Sequence, residues 1–322
     1  FFELTPEQSE FYDKIIEHYF APHKDGGRFT GVIYQPFIYE TSEDLEKLGE
    51  SENFEYILQT QLSDFMRRLL VKRFESSFGS FNESIRRFKE VYKTVQSFVK
   101  RTGKYILDRK LIEKIYEEDD EVIDQALIDF QNNLEMDNPR NRDKVYVINN
   151  FKHKKEFLQN IESDIQMFDE IIKLLDDMDL VSDDPKSAKL IEKIKVELRK
   201  PPRPGEPKRK IIIFSEFADT VNHLRLALQP HFGNRLLVVS GSLSTSLIKT
   251  INQNFDASNT DPQDDYDILL STDRISEGFN LNRAGMIINY DIPWNPVRVI
   301  QRVGRINRIS KKVFDELYIV NF

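Results

Sequence analysis

The sequence contains no cysteine, which excludes disulfides and thiolate metal sites and fits a reducing cytoplasm. Its five histidines, at 18, 23, 153, 223 and 231, fall at no metal-ligand spacing, so no metal site is expected on this chain. No run approaches the roughly 20 apolar residues that cross a bilayer, and no secretory leader is recognisable, so no membrane partner is expected. An excess of basic charge is missing too. The net charge of −8 alone argues against a nucleic-acid binder. The distribution qualifies that argument. Residues 205–322 hold 14 Lys and Arg against 13 Asp and Glu, whereas the preceding 204 residues hold 32 against 41. The acidity therefore sits in the front part, and field shape rather than total charge steers a polyanion, so a basic groove near the end stays open.

A length of 322 residues suggests about two domains. Thr5 is a good N-cap, Pro6 fits a first helical turn, and Gln8 completes a capping box ahead of Phe11, Ile15 and Tyr19 at helical spacing. Thr30 to Tyr39 is rich in β-branched and aromatic residues and reads as a short strand pair or an extended link. From about 50 to 200 the texture is helical. One apolar stripe runs through Phe81, Ile85, Phe88, Val91 or Tyr92, Val95 and Phe98, another through Ile161, Ile165, Phe168, Ile172, Leu175 and Met178, as in antiparallel packed helices. Lys72-Arg73 and Arg86-Arg87 read as solvated helix faces. The run Lys200-Pro-Pro-Arg-Pro-Gly-Glu-Pro207 can neither continue a helix nor sit in a central strand, and it marks a boundary.

Beyond that boundary come short apolar runs without alternation: 211–214, 236–239, 267–270, 286–289 and 317–320. Helical patterns at 219–228 and 243–255 separate the first three, which predicts an α/β unit with a parallel sheet covered on both faces. The polar stretch 256–266 reads as a mobile surface loop. Ligands of an open parallel sheet bind beyond the carboxyl ends of its strands. At those positions stand Ser215-Glu-Phe217, Ser240-Gly-Ser242, Ser271-Thr-Asp-Arg-Ile-Ser-Glu-Gly-Phe-Asn-Leu281 and Tyr290-Asp-Ile-Pro-Trp-Asn-Pro296. Hydroxyls and main-chain amides at helix starts are what hold backbone phosphates. Taken singly, Ser240 and Thr272 read equally as helix caps, Gly278 as a turn glycine, and Trp294 as a core plug or a base-stacking platform. The next helix carries Arg302, Arg305 and Arg308 at three-residue spacing, expected on one outward face toward an anionic partner rather than in internal carboxylate pairs.

Residues 205–322 resemble the second RecA-like lobe of superfamily 2 helicases and translocases, nearest to the Swi/Snf branch in its bacterial forms. Ile211-Ile-Ile-Phe-Ser-Glu-Phe217 resembles motif IV, Ser271 to Leu281 motif V, Asp291-Ile-Pro-Trp-Asn-Pro296 the Asp-x-x-Trp-Asn-Pro link, and Gln301-Arg-Val-Gly-Arg-Ile-Asn-Arg-Ile309 motif VI. Leu4-Thr-Pro-Glu-Gln8 and Asp184-Pro-Lys186 with Lys189-Leu190 are similar to the segments that leave the first lobe and enter the second. The resemblance implies a RecA-like parallel sheet flanked by helices, preceded by a mostly α-helical insertion domain. It divides the chain into a connector over 1–40, the insertion over 41–200, and the lobe over 205–322. It implies an ATP-dependent DNA helicase or translocase of the bacterial cytoplasm in which Arg305 and Arg308 are the catalytic arginine fingers. Gln301, Glu277, Gly278 and Asn280 would face the nucleotide. Ser215, Phe217, Ser240, Gly241, Ser242, Ser271, Thr272, Trp294 and Asn295 would face the backbone of DNA, double-stranded by this resemblance. Glu277 and Ser310 depart from the small residue and the glycine that many relatives carry there.

No Gly-x-x-x-x-Gly-Lys-Ser/Thr occurs, and Gly103-Lys104 is followed by Tyr105. Asp120-Glu-Val-Ile-Asp124 lies in an acidic helical stretch with no hydrophobic strand before it, so it is rejected as an Asp-Glu box. The expectation is a carboxyl-terminal half whose ATP and magnesium are held mainly by a first lobe of the same polypeptide, and which is inactive alone. Two other readings stay open. One is a non-catalytic nucleic-acid or protein-binding module with the same fold. The other is a DEAD-type RNA helicase, against which the Trp294-Asn-Pro296 link, Asn307 and the large helical region count.

Overall fold

The computed structural model describes residues 3–40, 49–108, 120–135, 143–241, 243–276, 278–293, 295–307 and 312–322, without the side chains of 51 and 120–124. Two compact units emerge, one of Leu4–Val181 and one of Ser182–Phe322 together with Glu3.

In the first unit, α1 (Pro6–Asp13) starts at the anticipated capping box: Gln8 N–H donates to Thr5 Oγ1 at 3.2 Å and Thr5 N–H to Gln8 Oε1 at 3.0 Å. The helix widens into a π-turn over Lys14–Tyr19. Long helices α2 (Glu50–Ser76) and α3 (Phe78–Thr102) follow, then a two-stranded antiparallel ribbon of β1 (Lys104–Leu107) with β2 (Lys144–Val147). Helices α4 (Asp120–Glu135) and α5 (Lys154–Asp177) complete it. The stripe from Phe81 to Phe98 is buried along α3, and Ile161, Ile165, Phe168, Ile172 and Leu175 are buried along α5. The two helices meet through Tyr92 and Phe168, edge to face at 5.3 Å.

Three readings differ from what the sequence suggested. Segment 30–39 forms no strand: it is a 3₁₀ turn (Val32–Tyr34) and a helical turn (Phe37–Glu40), both buried. Gly31, at φ +59°, turns the chain there, and Thr30 donates through N–H and hydroxyl to the buried Asp164 of α5 at 2.9 and 2.8 Å. Arg73 is not on a solvated face. It is 1% exposed and donates to Ser84 Oγ of α3 at 2.7 Å. The unit boundary lies between Val181 and Ser182 rather than at 40 and 200–207, because segment 4–40 packs with the helices and because helix α6 (Pro185–Arg199) joins the sheet that follows.

The second unit contains a five-stranded, all-parallel sheet in the order β4-β5-β3-β6-β7. Its strands are β3 (Lys210–Phe214), β4 (Leu236–Val239), β5 (Ile268–Ser271), β6 (Ala284–Asn289) and β7 (Tyr318–Asn321), each within two residues of an anticipated apolar run. Successive side chains point to opposite faces. Ile211, Ile213, Ile268, Leu270, Met286 and Ile288 pack with Leu190 and Ile194 of α6 and with Val221, Leu224 and Leu228 of α7 (Ala218–Phe232). Ile212, Phe214, Leu237, Leu269 and Ile287 pack on the other side, with Ile251 and Phe255 of α8 (Thr245–Phe255) and Ile306 of α9 (Pro296–Ile306). This is the doubly covered parallel sheet that the unbroken apolar runs require, as the RecA-like resemblance also implies. Loop 256–266 is held in several places: Asn254 Oδ1 accepts from Asp265 N at 2.8 Å, and Arg283 donates to the carbonyls of Gln253 and Gln263 at 2.9 and 2.7 Å.

Candidate nucleotide and nucleic-acid edge

Four loops leave the carboxyl ends of β3, β4, β5 and β6, and α9 begins from the last of them. Asn295 starts α9 as its N-cap, its side chain accepting from Val297 N at 3.0 Å, with Pro296 in the first turn. The rows of α9 differ sharply in environment. Arg298, Arg302 and Ile306, four residues apart, face the sheet; Val297 and Ile300 face out, Ile300 at 70% exposure. Gln301 and Arg305 lie on the flank between, half-buried.

Arg302 corrects the expectation of three outward arginines. It is 0% exposed. Its Nε and one terminal nitrogen donate to the two carboxylate oxygens of Asp273 at 2.5 and 2.8 Å. The other terminal nitrogen donates to Asn289 Oδ1 at 2.9 Å and to the Asp291 carbonyl at 3.1 Å. The guanidinium also lies 5.1 Å from the Phe214 ring centroid. One side chain thus ties together the ends of three adjacent strands, β5, β3 and β6. At 3.6 residues per turn Arg305 stands about 60° round the helix from Arg302, at the edge of the inner row rather than at its centre, and it is Arg302 that meets Asp273. Arg298 stands 3.8 Å from Asp273 and 4.0 Å from Glu216 and adds positive charge on the same inner row.

Asp291 is the second node. Its Oδ2 accepts from the Ser215 hydroxyl and, at 3.0 Å, from Glu216 N. Asp184, Lys186 and Ser187 in the first turn of α6 meet the same region. Lys186 Nζ sits 4.3 Å from the Tyr290 ring centroid and 3.7 Å from Asp291 Oδ1. Ser187 Oγ lies 2.9 Å from Asp184 Oδ2 and 3.2 Å from the Tyr290 hydroxyl. Burial pushes the Asp184 carboxyl up, but the nearby His223 ring, Ser187 and the Lys186 N–H outweigh it and hold it below the usual carboxylate range. Burial drives the Tyr290 hydroxyl well above its ordinary value, and the Asp184 charge adds to this.

The sequence-predicted residues separate accordingly. Ser215, Phe217 and Ser271 are fully interior: Ser215 serves Asp291, Phe217 is 1% exposed in the core at the start of α7, and Ser271 closes β5. Their side chains cannot meet a strand on the surface, a correction caused by the sheet's double covering. Thr272 is buried at the edge, and its hydroxyl has no hydrogen-bond partner. It caps no helix; Ser244, not Ser240, caps α8. Ser240 is exposed and Gly241, at φ +73°, half-buried, with its carbonyl held by Arg274 at 2.9 Å. Gly278, at φ +80°, is exposed beside half-buried Asn280, and the loop returns to α9 where Leu281 N–H donates to the Arg305 carbonyl at 2.9 Å. Ser242, Glu277, Trp294 and Arg308 lie outside the described residues. Asp273, Asn289 and Arg274 carry structural roles that sequence reasoning missed. They stood inside or beside the quoted motifs, but no local spacing links Asp273 to Arg302, 29 residues on.

The Asp273 carboxylate is engaged by Arg302, and that of Asp291 by the Ser215 hydroxyl and the Glu216 N–H. Among the described residues no group of three His, Asp or Glu could hold a metal ion, and no helix is long and apolar enough to cross a membrane.

Residues 189–310 match the helicase conserved C-terminal domain family. A curated relative, the uncharacterized ATP-dependent helicase YqhH of Bacillus subtilis, is 28% identical over 160 residues, 49% of this chain and 26% of the relative. DEAD-box ATP-dependent RNA helicase 10 of Arabidopsis thaliana is 31% identical over 105 residues, 33% of this chain and 22% of that protein. Among solved structures, the Sulfolobus solfataricus SWI2/SNF2 ATPase core in complex with dsDNA aligns at 23% identity over 51% of this chain and 32% of that one, with a TM-score of 0.33. The chain spans about a quarter of these curated relatives. The match, over less than half of the chain, falls within the unit that holds the five-stranded parallel sheet, and through residues 189–310 the chain is similar to the helicase conserved C-terminal domain family, as the motifs suggested.

Proposed function

We propose that this chain is the second lobe and helical insertion of an ATP-dependent DNA translocase of Swi/Snf type, and that Arg305 is an arginine finger. One observation carries the reading: on a helix whose inner row is locked to the sheet through Arg302, Arg305 sits one turn on, half-buried on the flank, beside the loop that ends at Leu281. A finger needs a rigid base, and the lock of Arg302 to the sheet supplies it. ATP provides the phosphoryl group whose transfer drives the cycle. Arg305 presents its donors to oxygens on which negative charge grows as the terminal group departs, a contribution of roughly 10³–10⁵ in rate for such arginines. Gln301, Gly278 and Asn280 border the same edge, and Arg308, by the motif, is a second finger. The magnesium ion and the phosphate cradle belong to a first lobe.

Nucleic acid is read through its backbone by Ser240, the Gly241 amide and the amides around them, so binding is weakly sequence-dependent and weakens steeply with salt. SNF2 and DEAD-box proteins both stand among the relatives, so an RNA substrate is the second reading. Duplex DNA is preferred on the Trp294-Asn-Pro296 link and the size of the helical unit. In the full-length protein, Arg305→Ala is expected to lower nucleic-acid-stimulated ATPase at least 100-fold while leaving nucleic-acid affinity within about threefold. Retention of more than a tenth of the wild-type turnover would remove the finger from the mechanism.

A further inference from the structure

The first turn of α6 offers a buried contact that the proposed chemistry does not use. Lys186 is buried, and its ammonium lies over the Tyr290 ring at 4.3 Å and opposite Asp291 Oδ1 at 3.7 Å, too long for a hydrogen bond but close for an ion pair. A lysine is rarely placed there without a use, because burying an ammonium is costly unless it is compensated. The turn that carries it is itself fixed. Lys186 N–H and the Ser187 hydroxyl donate to the two Asp184 carboxylate oxygens, each at 2.9 Å, and the Tyr290 hydroxyl reaches Asp184 Oδ2 at 3.3 Å. His223 Nε2 stands 3.6 Å from the same oxygen.

From Asp291 the connection continues in two directions. Its carboxylate receives the Ser215 hydroxyl and the Glu216 N–H at the end of β3. Its main-chain carbonyl receives Arg302, which holds α9. Resting on the reading of Arg305 as a finger, we infer that Lys186 is a positioning residue for that reaction. Through Asp291 it fixes the loop between β6 and α9, and with it the angle at which α9 presents Arg305. The segment entering the sheet unit is thereby mechanically joined to the arginine helix. Misplacement of a reacting or stabilising group by about 1 Å can cost on the order of 100-fold in rate. A shift transmitted through one ion pair is expected to cost about tenfold.

The test uses the full-length protein. Lys186→Met keeps the stem packed on Tyr290 and removes the charge. The expected result is a kcat for nucleic-acid-stimulated ATP hydrolysis lowered about tenfold, with the KM for ATP and the half-saturating nucleic-acid concentration within twofold of wild type. Lys186→Arg, which keeps the charge, retains most of the turnover. Because Lys186 acts through Asp291, Lys186→Met added to Asp291→Asn lowers kcat no further than Asp291→Asn alone. A purely structural lysine would lower thermal stability without this split between kcat and KM. If Lys186→Met leaves kcat unchanged, or if its effect multiplies with that of Asp291→Asn, the inference is overturned. If Lys186→Met does not fold, Lys186→Arg decides: a tenfold loss of turnover in a folded Lys186→Arg protein with its charge intact would equally refute it. Arg305→Ala separates the two ideas. Wild-type turnover there sinks the finger itself, whereas a dead Arg305→Ala beside a normal Lys186→Met sinks only the role of Lys186.

Discussion

Replacing Arg302 by methionine should destabilise the sheet unit by about 3 kcal/mol, although no part of Arg302 reaches the surface to touch a ligand. The guanidinium is wholly buried and makes four hydrogen bonds between 2.5 and 3.1 Å, two of them charge-assisted to Asp273. Breaking a buried pair by removing one member costs about 3–5 kcal/mol, because the remaining charge is stranded. The lower end applies here for two reasons. Arg298 stands 3.8 Å from Asp273 and takes up part of its charge. Methionine also preserves most of the volume against Phe214, so no large cavity opens. At about 2–4 °C per kcal/mol, the transition of this unit should fall by roughly 6–12 °C. Urea unfolding, followed by far-ultraviolet circular dichroism, measures the loss. The cycle with Asp273→Asn identifies its origin: each single variant strands a charge, so the double variant should be less destabilised than the sum of the singles. Lysine at 302 should not rescue, since a single ammonium cannot span the carboxylate, Asn289 Oδ1 and the Asp291 carbonyl at once. A cost below about 0.5 kcal/mol, or strictly additive singles, would refute the view that Arg302 is the clamp that holds α9.

Two further predictions concern the remaining special positions. Burial raises the Asp164 carboxyl from 3.8 to about 7 against the opposing bonds from Thr30, so its folded value lies above its unfolded one. The helical unit should therefore be most stable below about pH 4 as far as this group is concerned and lose stability as pH rises through about 7, by at most some 4 kcal/mol at ~1.4 kcal/mol per unit. Asp164→Asn, which still accepts from Thr30 N, should flatten that slope in denaturant melts at pH 5 and pH 8; an unchanged slope would assign the dependence to other groups. Gly278 sits at φ +80° with open space where a Cβ would stand, so Gly278→Ala should cost about 1–2 kcal/mol from backbone strain alone, with asparagine recovering part of it in the same melts. An alanine variant of wild-type stability would mean that the loop relaxes out of the left-handed conformation.

What could be read from the sequence follows from how far each feature reaches along the chain. The strands were legible because both faces of the sheet are covered, which writes unbroken runs such as Ile211–Phe214 into the sequence. The stripes of α3 and α5 were legible because helical burial repeats every three to four residues. Segment 30–39 misled because aromatic and β-branched composition reports burial as much as strand, and here the burial belongs to turns bent by Gly31 and held by Asp164, more than 130 residues away. The proline run at 200–207 interrupts secondary structure without separating cores, since Leu190 and Ile194 before it pack with Ile211 and Ile213 after it. The arginines show the limit most clearly. Arg73 and Arg302 look in the sequence like any surface cation, and each is interior among partners, Ser84 for the one and Asp273, Asn289 and the Asp291 carbonyl for the other, whose positions only the fold decides. A motif names the residues that gather at an edge. It does not say which of them the fold will lock in place, and on α9 that is decided by Asp273, which meets Arg302. The chemistry proposed for Arg305 therefore depends on Arg302 being unavailable for it: a finger is only as well aimed as the buried charge one turn behind it.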